Sequence, residues 1–215
     1  MSELKDRINQ IKLVFKLKDV KFKSDFDMFH HLCENNYHEL IKELINDGAD
    51  VNIKDNGGDT ALMWASYYGN IEVIKVLLIN GADVNIKDKF GNSALMWASE
   101  NDNTEVLKLL LANGVDVNIQ NKFGNSALMH ASRRGNIEMV SFLLDCGADV
   151  NIQNKYSETV LMWASNNNKI ESVKLLLANG ADINIQNKYG YTALMWASYY
   201  GNIEVAKLLK EYGAK

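Results

Sequence analysis

The feature that most limits how this chain can fold is a strict internal period. The segment Thr60-Ala61-Leu62-Met63-Trp64-Ala65-Ser66 returns, with small changes, at Ser93, Ser126, Thr159 and Thr192, each 33 residues after the last. Glycines at Gly48, Gly81, Gly114, Gly147, Gly180 and Gly213 mark a second phase of the same period. Six units result, beginning near Asp27, Thr60, Ser93, Ser126, Thr159 and Thr192. One short unit cannot bury its own apolar side, so units repeated at this spacing must stack.

Within a unit the pattern predicts two helices and a finger. Leu62 and Ala65 share one face of a first helix; Ile71, Ile74, Leu77 and Leu78 have the three-four spacing of a second. Between the helices stand only Gly, Asn or Asp, at Asn36, Gly69, Asp102, Gly135, Asn168 and Gly201. These residues tolerate a left-handed backbone, so a tight turn is expected there. Gly81 and its equivalents follow the second helix as C-terminal caps. The alternation of Val84 and Ile86 with Asp83 and Asn85 predicts a short extended arm. The expected fold is all-α with short β-finger turns, a solenoid of stacked helix–turn–helix units over residues 25–215. Its ends read as caps. Lys210 and Glu211 make the last unit polar outside, and Met28, Phe29, His30, His31 and Leu32 replace the repeated motif in the first.

Residues 1–24 precede the units and carry seven basic and three acidic side chains. Leu4, Ile8, Ile11 and Phe15 fall on one helical face. An amphipathic helix capping the first unit is expected, with docking to an anionic membrane or a scaffold as the alternative.

Composition excludes several classes. With 23 basic and 27 acidic residues the chain is mildly acidic, which argues against nucleic acid as a partner. No apolar run is long enough to span a membrane, and the N-terminus lacks the apolar core of a secretory signal. Cys33 and Cys146 are too few for a disulfide framework, and three stacked units would hold them roughly 25–30 Å apart. A cytoplasmic protein, monomeric alone, is expected; for a virus or intracellular bacterium this would be the host cytoplasm. The chain contains no proline at all, against an average of about 5%.

The 33-residue period, the Gly-Ala-Asp-Val-Asn step and the Thr-Ala-Leu-Met-Trp-Ala-Ser opening resemble the ankyrin repeat. The family's Thr-Pro-Leu-His has Ala61, Ala94, Ala127, Val160 and Ala193 in place of proline, and Met63, Met96, Met129, Met162 and Met195 in place of histidine. Proline at the first helical position is a dispensable start signal. Methionine there implies a more apolar seam between neighbouring first helices. The resemblance implies a non-enzymatic module that binds another protein through its concave side, as adaptor, inhibitor or neutralising partner. It also brings Asn85, Asn118 and Asn151 into view, since finger asparagines eight residues after a leucine are similar to hydroxylation sites in this family. A structural asparagine bonded to its turn is the simpler reading.

No catalytic or cofactor motif is present: there is no phosphate loop, His-Glu-x-x-His or Gly-x-Ser-x-Gly. Ser66, Ser99, Ser132, Ser165 and Ser198 recur at one phase, as small structural residues do. His30, His31, Cys33 and His38 cluster in sequence, but their spacing matches no standard zinc site.

Candidate binding residues follow from the concave phases. Finger tips supply Phe90, Phe123, Tyr156 and Tyr189, each after a lysine, with Asn92, Asn125, Glu158 and Tyr191 two residues on. A row of tip aromatics predicts an exposed apolar stripe. First helices supply Trp97, Glu100, His130, Trp163 and Asn166, with the pairs Tyr67-Tyr68 and Tyr199-Tyr200. Trp64, Trp97, Trp163 and Trp196 read first as packing between units. The fourth unit breaks the copy: His130 replaces tryptophan, and Arg133-Arg134 stand where other units have Tyr-Tyr, Glu-Asn or Asn-Asn. Arginine forks fit carboxylates and phosphates, so an acidic group on the partner is expected opposite them, with drift at a solvated site as the alternative.

Overall fold

The computed structural model describes residues 25–215. These contain twelve α-helices in six consecutive pairs. Unit one holds α1 (Asp25–Glu34) and α2 (His38–Asn46), unit two α3 (Ala61–Tyr68) and α4 (Ile71–Ile79), and unit three α5 (Ala94–Glu100) and α6 (Thr104–Ala112). Unit four holds α7 (Ala127–Arg134) and α8 (Ile137–Asp145), unit five α9 (Val160–Asn166) and α10 (Ile170–Ala178), and unit six α11 (Ala193–Tyr199) and α12 (Ile203–Glu211). First helices pack on first helices and second on second, as a solenoid requires. The helix expected over residues 1–24 lies outside the described residues.

The start of each first helix explains why proline is dispensable. Thr60, Ser126, Thr159 and Thr192 are extended, and their hydroxyls accept the backbone N–H of Met63, Met129, Met162 and Met195. The side-chain cap supplies the start signal, and the following alanine or valine is buried against the neighbouring unit. The inter-helix turn is left-handed as the residue types require. Asn36, Asp102 and Asn168 have φ of 57°, 59° and 56°, and Gly69, Gly135 and Gly201 share the region. Second helices bury Val73, Ile74 and Leu77 in unit two, with Ile71 and Leu78 flanking that stripe half-buried.

The expected extended arm at Val84–Ile86 is instead a turn. The Asp83 carboxylate accepts the N–H of Asn85 at 2.9 Å, and Asp50, Asp116, Asp149 and Asp182 do the same two residues on. A local carboxylate acceptor closes the chain before it can extend. Strand-like pairing among the described residues is confined to the bridges Lys54–Thr60, Gln120–Ser126 and Gln153–Thr159.

In the last unit Lys210 and Glu211 are exposed on α12, and Met195 on α11 is 44% exposed, while its four in-phase methionines are buried.

Candidate partner-binding surface

The finger backbones are tied down by hydrogen bonds within each finger and between successive fingers. The Asp88 carboxylate accepts the N–H of Phe90 at 2.7 Å and of Asn92 at 2.8 Å; Asn121, Asn154 and Asn187 repeat this with their side-chain oxygens. The carbonyls of Phe90, Phe123 and Tyr156 each accept the lysine N–H of the next finger at 2.9 Å. Asn92 and Asn125 also face the next finger, accepting from the amides of Asn121 and Asn154. What projects outward is the rings: Phe90 is 59% exposed and Tyr189 68%, with Phe123 and Tyr156 also open.

The first-helix tryptophans are half-buried and touch tyrosines and histidines rather than one another. The His30 ring lies 4.0 Å from that of Trp64, and its Nε2 shares a 3.2 Å hydrogen bond with the Tyr68 hydroxyl. Tyr67 meets Tyr68 edge-on at 5.0 Å and Trp97 at 5.8 Å. At the other end Trp196 contacts Tyr191, Tyr199 and Tyr200 at 5.4, 6.4 and 5.7 Å. There the tyrosines are open, Tyr199 most of all.

Unit four carries a charged junction. Glu100, at the end of α5, accepts from His130 Nδ1 at 2.7 Å through Oε2 and from the Arg133 guanidinium through Oε1. Arg134 Nε donates to the Glu100 backbone carbonyl at 2.6 Å. Burial pushes the Glu100 carboxyl up, but the bonds from His130 and Arg133 outweigh it and hold the group at about 2. The acidic group facing the arginine pair is therefore the chain's own. Arg133 also lies over Trp163, 5.9 Å from the ring centroid, and His130 meets that ring edge-on. Trp163 in turn donates its indole N–H to Glu158 at 3.1 Å.

Two clefts flank Arg133. One, of about 280 Å³, is lined by Asn92, Met96, Trp97, Glu100, His130 and Arg133. The other, of about 270 Å³, is lined by Arg133, Glu158, Met162, Trp163, Asn166, Asn167 and Trp196. Among the described residues, the indole nitrogens of Trp64 and Trp97, His130 Nε2 and Arg133 Nε have no hydrogen-bond partner. The structure thus brings Trp97, Glu100, His130, Arg133, Glu158, Trp163 and Asn166 to one stretch of surface. Tyr67 and Tyr68 stand to one side, and Tyr191, Tyr199 and Tyr200 stand on the other. Sequence reasoning left out Trp196, Met96 and Met162 as cleft walls. The recurrence of Met-Trp at two adjacent phases of the units was the available signal.

The remaining sequence clusters have local uses. His31 contacts the Tyr37 ring, and His38 bonds the Asn36 carbonyl. Cys33 is buried, its thiol directed to the Ala61 carbonyl and pushed up by burial, while Cys146 is exposed. Asn118 and Asn151 bridge to the next unit, each donating to a glycine carbonyl and accepting an aspartate N–H.

The family model for ankyrin repeats, taken three at a time, matches residues 5–88, 78–154 and 146–215. A comparison with curated proteins finds no match.

Proposed function

Since the chain belongs to the ankyrin-repeat family, whose repeats are protein–protein interaction modules, we propose that it acts by binding a partner protein on its concave side, as adaptor, inhibitor or neutralising partner. One observation carries this reading: the four tip rings are exposed in register, and the backbone beneath three of them, Phe90, Phe123 and Tyr156, is tied to the next finger. Aromatic rings on a rigid, already satisfied scaffold add contact area at small ordering cost, which is how binding hot spots are made. The first-helix clefts lie beside that stripe and supply polar contacts. No helix among the described residues is long and apolar enough to cross a membrane.

Photocrosslinking residues placed singly at Phe123 or Tyr156, and as controls at Lys75 or Lys174 on the second helices, test the surface in source cells. Capture of a partner from the tips but not from the second helices is expected. Capture from the second helices alone would sink the concave reading.

A further inference from the structure

Residues 1–24 carry +4, so the whole chain's net −4 leaves −8 on the six units. Within that excess, two carboxylates of the concave face differ sharply. Glu100 is surrounded by His130, Arg133 and Arg134. Glu158, one unit further on, has only neutral donors, the Trp163 indole at 3.1 Å and the Asn154 amide at 2.9 Å. Both bonds go to Oε2, and among the described residues nothing bonds to Oε1. These two bonds fix where the carboxylate points without neutralising it. It lines the roughly 270 Å³ cleft whose aromatic walls are Trp163 and Trp196.

The same row of first-helix rings shows what such a place accepts. At the first junction the His30 imidazole lies against Trp64. At unit five the Arg133 guanidinium lies over Trp163. Twice, then, a flat nitrogen-bearing group of the chain itself covers an indole in this row. At the phase of His30, the cleft beside Trp196 has Met162, a side chain with no such group.

From this we infer that the cleft over α9 receives an arginine side chain of the partner. Its guanidinium stacks on the tryptophan walls and donates to Glu158 Oε1. A guanidinium is the cation best suited to do both at once, being planar, weakly hydrated and multiply donating. Arg133 on the cleft's edge does not oppose it, because Glu100 already holds its charge. The inference rests on the concave-face reading and reverses the sign expected for the partner: basic at this point rather than acidic.

The test uses the full chain and four blocked tripeptides, acetyl-Gly-X-Gly-amide with X as arginine, lysine, citrulline or glutamate. Binding is followed on the indole N–H resonances, with Trp196→Phe assigning that signal. Saturable shifts at Trp163 and Trp196 are expected with arginine, weaker ones with lysine and none with citrulline or glutamate. Glu158→Gln keeps an acceptor for the indole and the fold, and should weaken the arginine peptide about tenfold, the scale of one charged hydrogen bond. No shift with arginine, an equal response to lysine, citrulline or glutamate, or unchanged affinity in Glu158→Gln would each overturn the assignment. Should it fail while Phe123 still captures a partner, the concave reading stands. If arginine binds but crosslinks form only from the second helices, the concave reading falls and the cleft remains.

Discussion

The junction between units one and two and the junction between units three and four occupy the same phases of the same fold, yet opposite physics holds them. The first is aromatic on its helices, with the His30 ring on Trp64 and its Nε2 hydrogen-bonded to the Tyr68 hydroxyl. In its finger, Asp59 stands near two other acids. Burial, with Asp55 and Asp88, raises that carboxyl to about 6. The second junction is ionic, and its carboxylate, Glu100, is held at about 2. A half-buried acid is therefore not one kind of object in this array. Whether it strengthens or strains the stack depends on which side chains the neighbouring unit sets opposite it.

Removing Glu100 should have the largest effect on stability. Glu100→Ala leaves His130 and Arg133 partly buried without their acceptor, and a loss of about 2 kcal/mol is expected by urea denaturation. The acid dependence gives an independent check. The folded value is depressed below the ordinary 4.5, so this stabilisation is complete above about pH 4.5 and fades as pH falls towards about 2. With solvent screening it amounts to about 1–2 kcal/mol. Wild type should lose that much more than Glu100→Gln over this range. Parallel pH profiles would show the junction to be energetically neutral.

Asp59→Asn breaks the contrast from the other side. Here the folded value is raised, so at neutral pH the ionised group opposes folding, and the penalty disappears as pH falls through about 6 towards 3.8. The variant should be more stable at pH 7 by about 1 kcal/mol, allowing for partial exposure, and indistinguishable from wild type below about pH 4. The next fingers support the direction. Asn92, at the same phase, donates its amide to Asp88 at 3.0 Å. A pH-independent gain, or none, would place the strain elsewhere.

Most of the fold was legible because it rests on features that each unit repeats: the apolar spacing, the left-handed turn residues and the glycine caps. The finger was misread where alternation of Val84 and Ile86 imitates a strand, since period-two patterning does not register a carboxylate two residues ahead of an N–H. Of the surface, the tip aromatics could be named from phase alone. The Glu100–Arg133 pair needed one further step: residues 33 apart share a phase in adjacent units and so stand side by side, and opposite charges there find each other. The cleft at Glu158 was less accessible still. It combines side chains from three units, and it is the stacking of the folded units that brings Trp196 to its wall.

The smallest expected effect lies where unit four departs from its neighbours once more. Ser157 takes the finger phase that is Gly58, Gly91, Gly124 and Gly190 in the other units, and it keeps their left-handed backbone at φ 58°. At Gly58, Gly91 and Gly124 a side chain is crowded by the next finger, a Cβ at Gly91 coming within 2.6 Å of the Lys122 nitrogen, whereas Gly190 has open space around it. Ser157 is accommodated, but a non-glycine residue in this conformation costs about 1 kcal/mol. Glycine would relieve that cost while adding freedom to the unfolded chain, which returns part of the gain. Ser157→Gly should therefore stabilise by about 0.5 kcal/mol. If it destabilises instead, the serine is holding the neighbouring Glu158 in place. The arginine-tripeptide titration, repeated on the variant, then decides: weaker binding with a less stable fold would make Ser157 part of the cleft's construction, and unchanged binding would confine it to the finger.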